Sequence, residues 1–215
     1  MARPGRCGKA AARALGLALA LLGSSADAGE ARPCKLAVLG DSLSAGFGVA
    51  AAEAFPMRLE AALRARGIAC EVLNAGVSGD TSAGGAARLD WVLGDQPTHL
   101  LVELGGNDAL RALPVDQLRA NLAQIVATAR ERGVRVILAG MLAPPNLGRA
   151  YGEAFKAAYA DLAAATKVPF YPFFLEGVVL QPGLLQADGI HPNARGVEVI
   201  VANILPVILA ALQDE

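Results

Sequence analysis

The chain has 215 residues, 54% of them hydrophobic and 18% charged, with 19 basic and 20 acidic side chains. That length suits one domain of ordinary size, and the apolar content supplies a core and excludes a disordered chain. With charge so nearly balanced, and no basic patch or basic, aromatic-rich stripe, nucleic acid is excluded as a partner.

Arg3, Arg6, Lys9 and Arg13 precede an apolar run over residues 14–22, and small residues follow as far as Ala26-Asp27-Ala28. Basic, apolar, small is the order of a secretory signal peptide, so residues 1–28 are expected to be removed and 29–215 to form the domain. The apolar run is too short to cross a bilayer as a helix. Removal of the leader leaves 15 basic and 19 acidic residues, a net charge of −4. Of the 3 cysteines, Cys7 lies in the leader, and Cys34 and Cys70 remain. An even pair in an oxidising compartment reads either as a disulfide or as two buried thiols.

Residues 35–39 are a short apolar run that ends at Gly40, the pattern of a buried strand. Residues 53–66 carry Phe55, Leu59, Ala62 and Leu63 at helical spacing and stop at Gly67. A second strand is predicted over 70–74, a helical piece from about Thr81 (with Asp80 as its cap), and a third strand over 98–104. A long amphipathic helix over 115–132 stops at Gly133, and a fourth strand follows over 134–138. A helix over 149–166, a short strand over 168–171 and a closing helix over 194–212, kinked at Pro206, complete the chain. Strand and helix alternate throughout, which implies a parallel sheet with helices on both faces, a three-layer αβα fold. In such sheets the active site forms beyond the carboxyl ends of the strands. Those ends carry Gly40-Asp41-Ser42-Leu43-Ser44, Gly76-Val77-Ser78-Gly79 and Gly105-Gly106-Asn107-Asp108.

A serine hydroxyl becomes a nucleophile only when a base takes its proton and a carboxylate orients that base. The 2 histidines of the chain are His99 and His191. His99 begins a strand, at the end away from the glycine-rich turns, and reads as a surface or satisfied structural residue. His191 lies in a turn-rich loop, with Asp188 three residues before it. The ends of a four-residue turn approach within about 7 Å, so that carboxylate can reach the imidazole. Ser42 follows the first strand, Gly79 offers a backbone N–H in an open loop, and Asn107 offers a side-chain amide. Singly, each reads equally well as a turn or capping residue. Together they fill nucleophile, base, orienting carboxylate and oxyanion donors at one end of one sheet.

These blocks, with Asp188-Gly189-Ile190-His191, resemble the four blocks of the SGNH/GDSL hydrolase family, in its order and near its spacing, over roughly residues 35–212. Residues 144–151, Phe155, residues 172–174 and residues 188–193 are similar to its periplasmic thioesterase/lysophospholipase and arylesterase group. The resemblance implies a flavodoxin-like five-stranded parallel sheet of order 2-1-3-4-5. It implies Ser42 as nucleophile, His191 as general base and then acid, and Asp188 as its orienting group. The oxyanion hole is implied to comprise the Ser42 N–H, the Gly79 N–H and the Asn107 amide. In such a sheet Cys34 and Cys70 lie at the amino ends of neighbouring strands, within reach of a disulfide.

The expected activity is a serine esterase or thioesterase that cleaves aryl esters, lysophospholipids or acyl thioesters through an acyl-enzyme. A carbohydrate O-acetylesterase and a periplasmic ligand-binding protein are the alternatives. Leu110, Leu113, Leu142, Pro144 and Pro145 lie on loops where an acyl chain could rest. No cofactor and no metal are expected, since no Cys/His/carboxylate cluster has ligand spacing and no nucleotide-binding glycine loop is present. A monomer, periplasmic or secreted, with small-molecule acyl ester or thioester substrates and no stable membrane insertion, completes the expectation.

Overall fold

The structure is a computed structural model that describes residues 1, 2, 4, 5 and 32–213. Its contacts divide the chain into Met1–Ala31 and Arg32–Glu215, and the architecture is that of the second unit. Apart from four residues at its start, the expected leader lies outside the described residues.

Strand β1 (Cys34–Gly40) leads into the short helix α1 (Ser42–Ala45), which the sequence pattern did not reveal. A 3-10 turn over Ala51–Glu53 and helix α2 (Phe55–Arg64) follow, so the helix expected over 53–66 is shorter at both ends. Strand β2 (Cys70–Gly76) precedes two short helices, α3 (Ser82–Ala87) and α4 (Leu89–Gly94). Thr81, and not the expected Asp80, caps α3: its side chain accepts the Gly84 N–H. Thr81 sits one residue before the helix and reaches its first turn; the Asp80 carboxylate pairs with Arg88 instead.

Strand β3 (His99–Glu103) is followed by the short helix α5 (Gly106–Leu110) and by α6 (Val115–Glu131). Strand β4 (Arg135–Ala139), α7 (Arg149–Thr166), the two-residue β5 (Phe170–Tyr171) and α8 (Ala194–Gln213) complete the domain. Helix α8 continues through Pro206. It is long and apolar enough to cross a membrane by composition alone. Its buried face of Val197, Ile200, Ile204 and Ile208 accounts for that composition by packing within the core, against α2.

The sheet is parallel, with strand order β2-β1-β3-β4-β5. Every residue of β3 is buried, as expected of a central parallel strand covered on both faces. Helices α2 and α8 pack together, and α3, α6 and α7 form the other group. The chain runs outward from β1 to β2 and returns past β1 to β3. Strand order therefore reverses between β1 and β3, and in open α/β sheets the crevice at that reversal is where ligands bind.

Cys34 and Cys70 face each other in the register of β1 and β2 and are joined by a disulfide, with their Cα atoms 4.6 Å apart. His99 is buried at the amino end of β3 and not on the surface, with Nδ1 beside Thr98 Oγ1 at 2.9 Å. Burial, with Arg135 nearby, holds its pKa below the ordinary value.

Candidate active site

The carboxyl ends of β1 and β3 lie side by side, with Gly40 opposite Glu103. Gly40 has no room for a Cβ, because the Ser44 hydroxyl and the Glu103 carboxylate occupy that space. The chain then turns into α1. Asp41 caps this helix, its Oδ1 accepting the Leu43 N–H at 3.0 Å, and Ser42 is the first helical residue. The cap holds Ser42 at a strand-to-helix turn.

Ser42 Oγ lies 2.9 Å from His191 Nε2, although the two are 149 residues apart. On the other side of the imidazole, Nδ1 lies 2.6 Å from Asp188 Oδ2. Asp188 Oδ1 accepts the backbone N–H groups of Ile190 and His191, at 2.9 and 3.0 Å. The hydrogen bond from His191 and these two N–H groups hold the Asp188 carboxyl down at about 2, so it is ionised at neutral pH. An ionised carboxylate only accepts, so the ring hydrogen lies on Nδ1 and Nε2 is left to accept from Ser42. The three side chains form a relay able to move the Ser42 proton onto the imidazole.

Two features of this relay were not anticipated from the sequence. The Phe47 ring lies against the imidazole, with centroids 4.5 Å apart and planes at 38°. Gln186 Nε2 donates to the carbonyls of Phe47 at 2.7 Å and Pro192 at 2.9 Å, tying the loop after Ser42 to the loop that carries His191.

Three groups are the expected oxyanion donors. The Ser42 and Gly79 N–H groups have no acceptor among the described residues. Gly79 has φ = 87°, a conformation that favours glycine. Asn107 lies in α5 at the end of β3, and its nitrogen donates to Asp41 Oδ2 at 3.1 Å and to the Asp80 carbonyl at 2.9 Å. Both amide hydrogens are thus engaged. Asp108, beside it, accepts from the Ser82 N–H at 2.8 Å and the Ser82 hydroxyl at 2.5 Å, which fixes α5 to the start of α3.

Beneath α1 lie two buried carboxyls. Glu103 Oε2 accepts from Ser44 Oγ at 2.5 Å and from the Asp41 N–H at 3.3 Å. Complete burial, with Asp41 adjacent, raises the Glu103 pKa well above its ordinary range. Burial also raises Asp41 to about 6, against the pull of the Leu43 and Asn107 hydrogen bonds. A charged residue inside an otherwise apolar strand was the signal for Glu103.

Beside Ser42 and His191 opens a cleft of about 460 Å³. Leu110, Leu142, Pro144 and Pro145 line it, with Met141, Phe173, Val179, Leu180 and Ile190, which the sequence pattern did not single out. Leu113 is not among the lining residues; its carbonyl accepts from the Tyr151 hydroxyl at 2.8 Å. Among the described residues, no cluster of three or more His, Cys, Asp or Glu side chains could hold a metal ion.

Residues 38–199 match the model of the GDSL-like Lipase/Acylhydrolase family. Esterase TesA of Pseudomonas aeruginosa is 43% identical over 174 residues, covering 80% of this chain and 87% of that protein. Thioesterase 1/protease 1/lysophospholipase L1 of Escherichia coli K12 is 45% identical over 159 residues, covering 74% of this chain and 75% of that protein. The crystal structure of the psychrotrophic esterase EstA from Pseudoalteromonas sp., inhibited by monoethylphosphonate, superposes with a TM-score of 0.79 at 31% identity. That match covers 84% of this chain and 99% of that one.

Proposed function

The chain belongs to the GDSL-like lipase/acylhydrolase family, and from that premise we propose that it is a serine hydrolase of acyl esters and thioesters in which Ser42, His191 and Asp188 carry the chemistry. What supports this assignment most is the pair of distances through the imidazole, 2.9 Å to Ser42 and 2.6 Å to Asp188, beside an apolar cleft.

In the first half-reaction Ser42 Oγ attacks the acyl carbon as its proton passes to His191 Nε2. Asp188 keeps Nδ1 protonated and stabilises the imidazolium that forms. The carbonyl oxygen becomes an oxyanion, which takes hydrogen bonds from the Ser42 N–H, the Gly79 N–H and the Asn107 amide. His191 returns the proton to the departing alkoxide or thiolate, and the acyl group stays on Ser42. In the second half-reaction water adds to the acyl carbon, giving its proton to His191, and the acid leaves as Ser42 is reprotonated.

The apolar cleft favours an acyl chain of several carbons over an acetyl group, which would leave Leu110, Met141, Leu142 and Phe173 without a partner. The basic and apolar leader over residues 1–28, together with the Cys34–Cys70 bond, supports export to an oxidising compartment.

The decisive experiment combines a phosphonate label with a panel of nitrophenyl esters of increasing chain length. Labelling is expected on Ser42 alone. Ser42→Ala and His191→Ala should each fold and lose about 10⁴–10⁶ of kcat, since such a triad acts as a unit. A folded Ser42→Ala chain that still hydrolyses the esters would overturn the assignment, and a preference for acetyl esters would overturn the acyl-chain reading.

A further inference from the structure

We propose that Arg88 is a positioning residue for the oxyanion site, an inference that rests on the ester-hydrolase reading above. Arg88 is the residue between α3 and α4, and its side chain is 18% exposed. It does not line the cleft, so it acts through other groups.

Its guanidinium makes three hydrogen bonds in three directions. Nε donates to Asp80 Oδ2 at 2.6 Å, Nη1 to the Ala75 carbonyl at 2.6 Å and Nη2 to the Gly40 carbonyl at 2.9 Å. These acceptors bracket the site. Gly40 closes β1, two residues before Ser42. Ala75 lies at the end of β2, and Asp80 directly follows Gly79. One planar cation therefore ties the end of the strand that leads to Ser42 to both ends of the loop that carries Gly79. The Gly40 carbonyl also accepts the Val77 N–H at 3.0 Å, which adds a backbone tie between the same two segments.

Around Gly79 the loop needs such a tie, because packing there does not hold it. A Cβ placed on Gly79 would meet only Arg111 Nη2, at 3.8 Å, so the peptide is nearly open on that side. Its position is set by hydrogen bonds. Arg111 donates to the Gly79 carbonyl at 2.7 Å from an exposed position, where water competes. The Arg88 bonds are better shielded. The Asp80 carbonyl in turn holds the Asn107 amide at 2.9 Å. Arg88 thus governs two of the three oxyanion donors, Gly79 directly along the chain and Asn107 through Asp80. Oxyanion donors are effective only when preorganised, and displacement of reacting geometry by about 1 Å can cost on the order of 10²-fold.

A lysine cannot replace this fork, because its donors radiate from a single nitrogen. The test compares wild type, Arg88→Lys and Asp80→Asn. It measures kcat and KM on a nitrophenyl ester, affinity for an alkylboronic acid that forms a tetrahedral adduct on Ser42, and Tm. Arg88→Lys is expected to lower kcat by about 10–100-fold and boronate affinity by the same factor. KM is expected to change little, because the acyl cleft is untouched. A purely structural role would lower Tm and leave boronate affinity per folded molecule unchanged.

Wild-type kcat and boronate affinity in Arg88→Lys would overturn the inference, as would a fall in kcat without a matching fall in boronate affinity. Should Arg88→Lys fail to fold, Asp80→Asn decides in its place. It keeps the shape and weakens one bond of the three, and a smaller, parallel fall in both readouts is expected; no such fall overturns the inference. Wild type and Ser42→Ala run alongside. Hydrolysis that survives in Ser42→Ala would mean that the ester-hydrolase reading has failed, and is separable from any result at Arg88.

Discussion

The side-chain nitrogen of Asn107 stands 3.1 Å from Asp41 Oδ2, and its other hydrogen goes to the Asp80 carbonyl at 2.9 Å. For the amide to meet an oxyanion, one of these bonds has to open or be shared, and the longer bond to Asp41 is the one placed to yield. Asn107→Ala is expected to lower kcat by about 10²–10³, or roughly 3–4 kcal/mol of transition-state stabilisation. KM should change little if chemistry is slower than substrate release. If Asn107 serves only to shape the turn after β3, the variant will instead melt earlier and keep kcat within a few-fold of wild type. Measuring Tm and kcat on the same preparation separates the two.

Phe47 covers one face of the His191 imidazole, with ring centroids 4.5 Å apart. In the proposed mechanism it lies beside the positive charge that arises as the imidazole takes the Ser42 proton. Aromatic pairs contribute about 0.5–1.5 kcal/mol beyond area burial, so Phe47→Ala should lower kcat/KM about two- to tenfold. Phe47→Tyr keeps the ring and should keep the rate. An unchanged kcat/KM in Phe47→Ala would make the ring a bystander.

The legible parts of this molecule are those with local signatures. Glycine punctuation placed the strand ends at Gly40 and Gly76 and marked the turn at Gly105, two residues beyond the end of β3 at Glu103, and the alternation of strand and helix carried the parallel sheet. Helices α1 and α5 escaped notice because four or five residues are too few for a hydrophobic period. The partners of the site residues were not legible either, for a different reason. Arg88 reaches Gly40 across 48 residues, Gln186 reaches Phe47 across 139, and Glu103 meets Ser44 across 59. Such contacts exist only once the strands have taken their order. No spacing rule along one sequence encodes them.

Cys34 and Cys70 are bonded at the amino end of the sheet, opposite to the site, and close a loop with a sequence separation of 36 residues. In the chain-entropy model a loop of that size contributes about 3–4 kcal/mol by restricting the unfolded chain. Reduction, or Cys34→Ala with Cys70→Ala, should therefore lower Tm by well over 5 °C, since roughly 1 kcal/mol corresponds to 2–4 °C at this size. Because Ser42 and His191 lie at the other end of the strands, kcat at moderate temperature should hold. A Tm indifferent to reductant in exported protein would refute the stabilising role.

Glu103 is expected to contribute to the pH response of the folded state. It is fully buried and joined to the Asp41 N–H and the Ser44 hydroxyl through Oε2, while Oε1 has no partner among the described residues. Burial, then the adjacent Asp41, raises its pKa well above the ordinary 4.5. Between that value and the raised one, the folded chain holds a proton that the unfolded chain has lost. Where the folded state binds more protons, stability falls as pH rises, by about 1.4 kcal/mol per pH unit while the difference is one full proton. Asp41 acts in the same direction from 3.8 up to about 6, so the difference above pH 6 reports on Glu103. Glu103→Gln retains an oxygen to accept from Asp41 and Ser44 and cannot ionise. The variant should match wild type near pH 4 and exceed its Tm increasingly as pH rises past 6. Its kcat should stay within a few-fold, because the glutamine oxygen can still accept from the Asp41 N–H and the Ser44 hydroxyl that flank Ser42. Thermal melts of both proteins from pH 4 to 9 decide the matter: parallel curves above pH 6 would mean that Glu103 carries no proton in the folded chain.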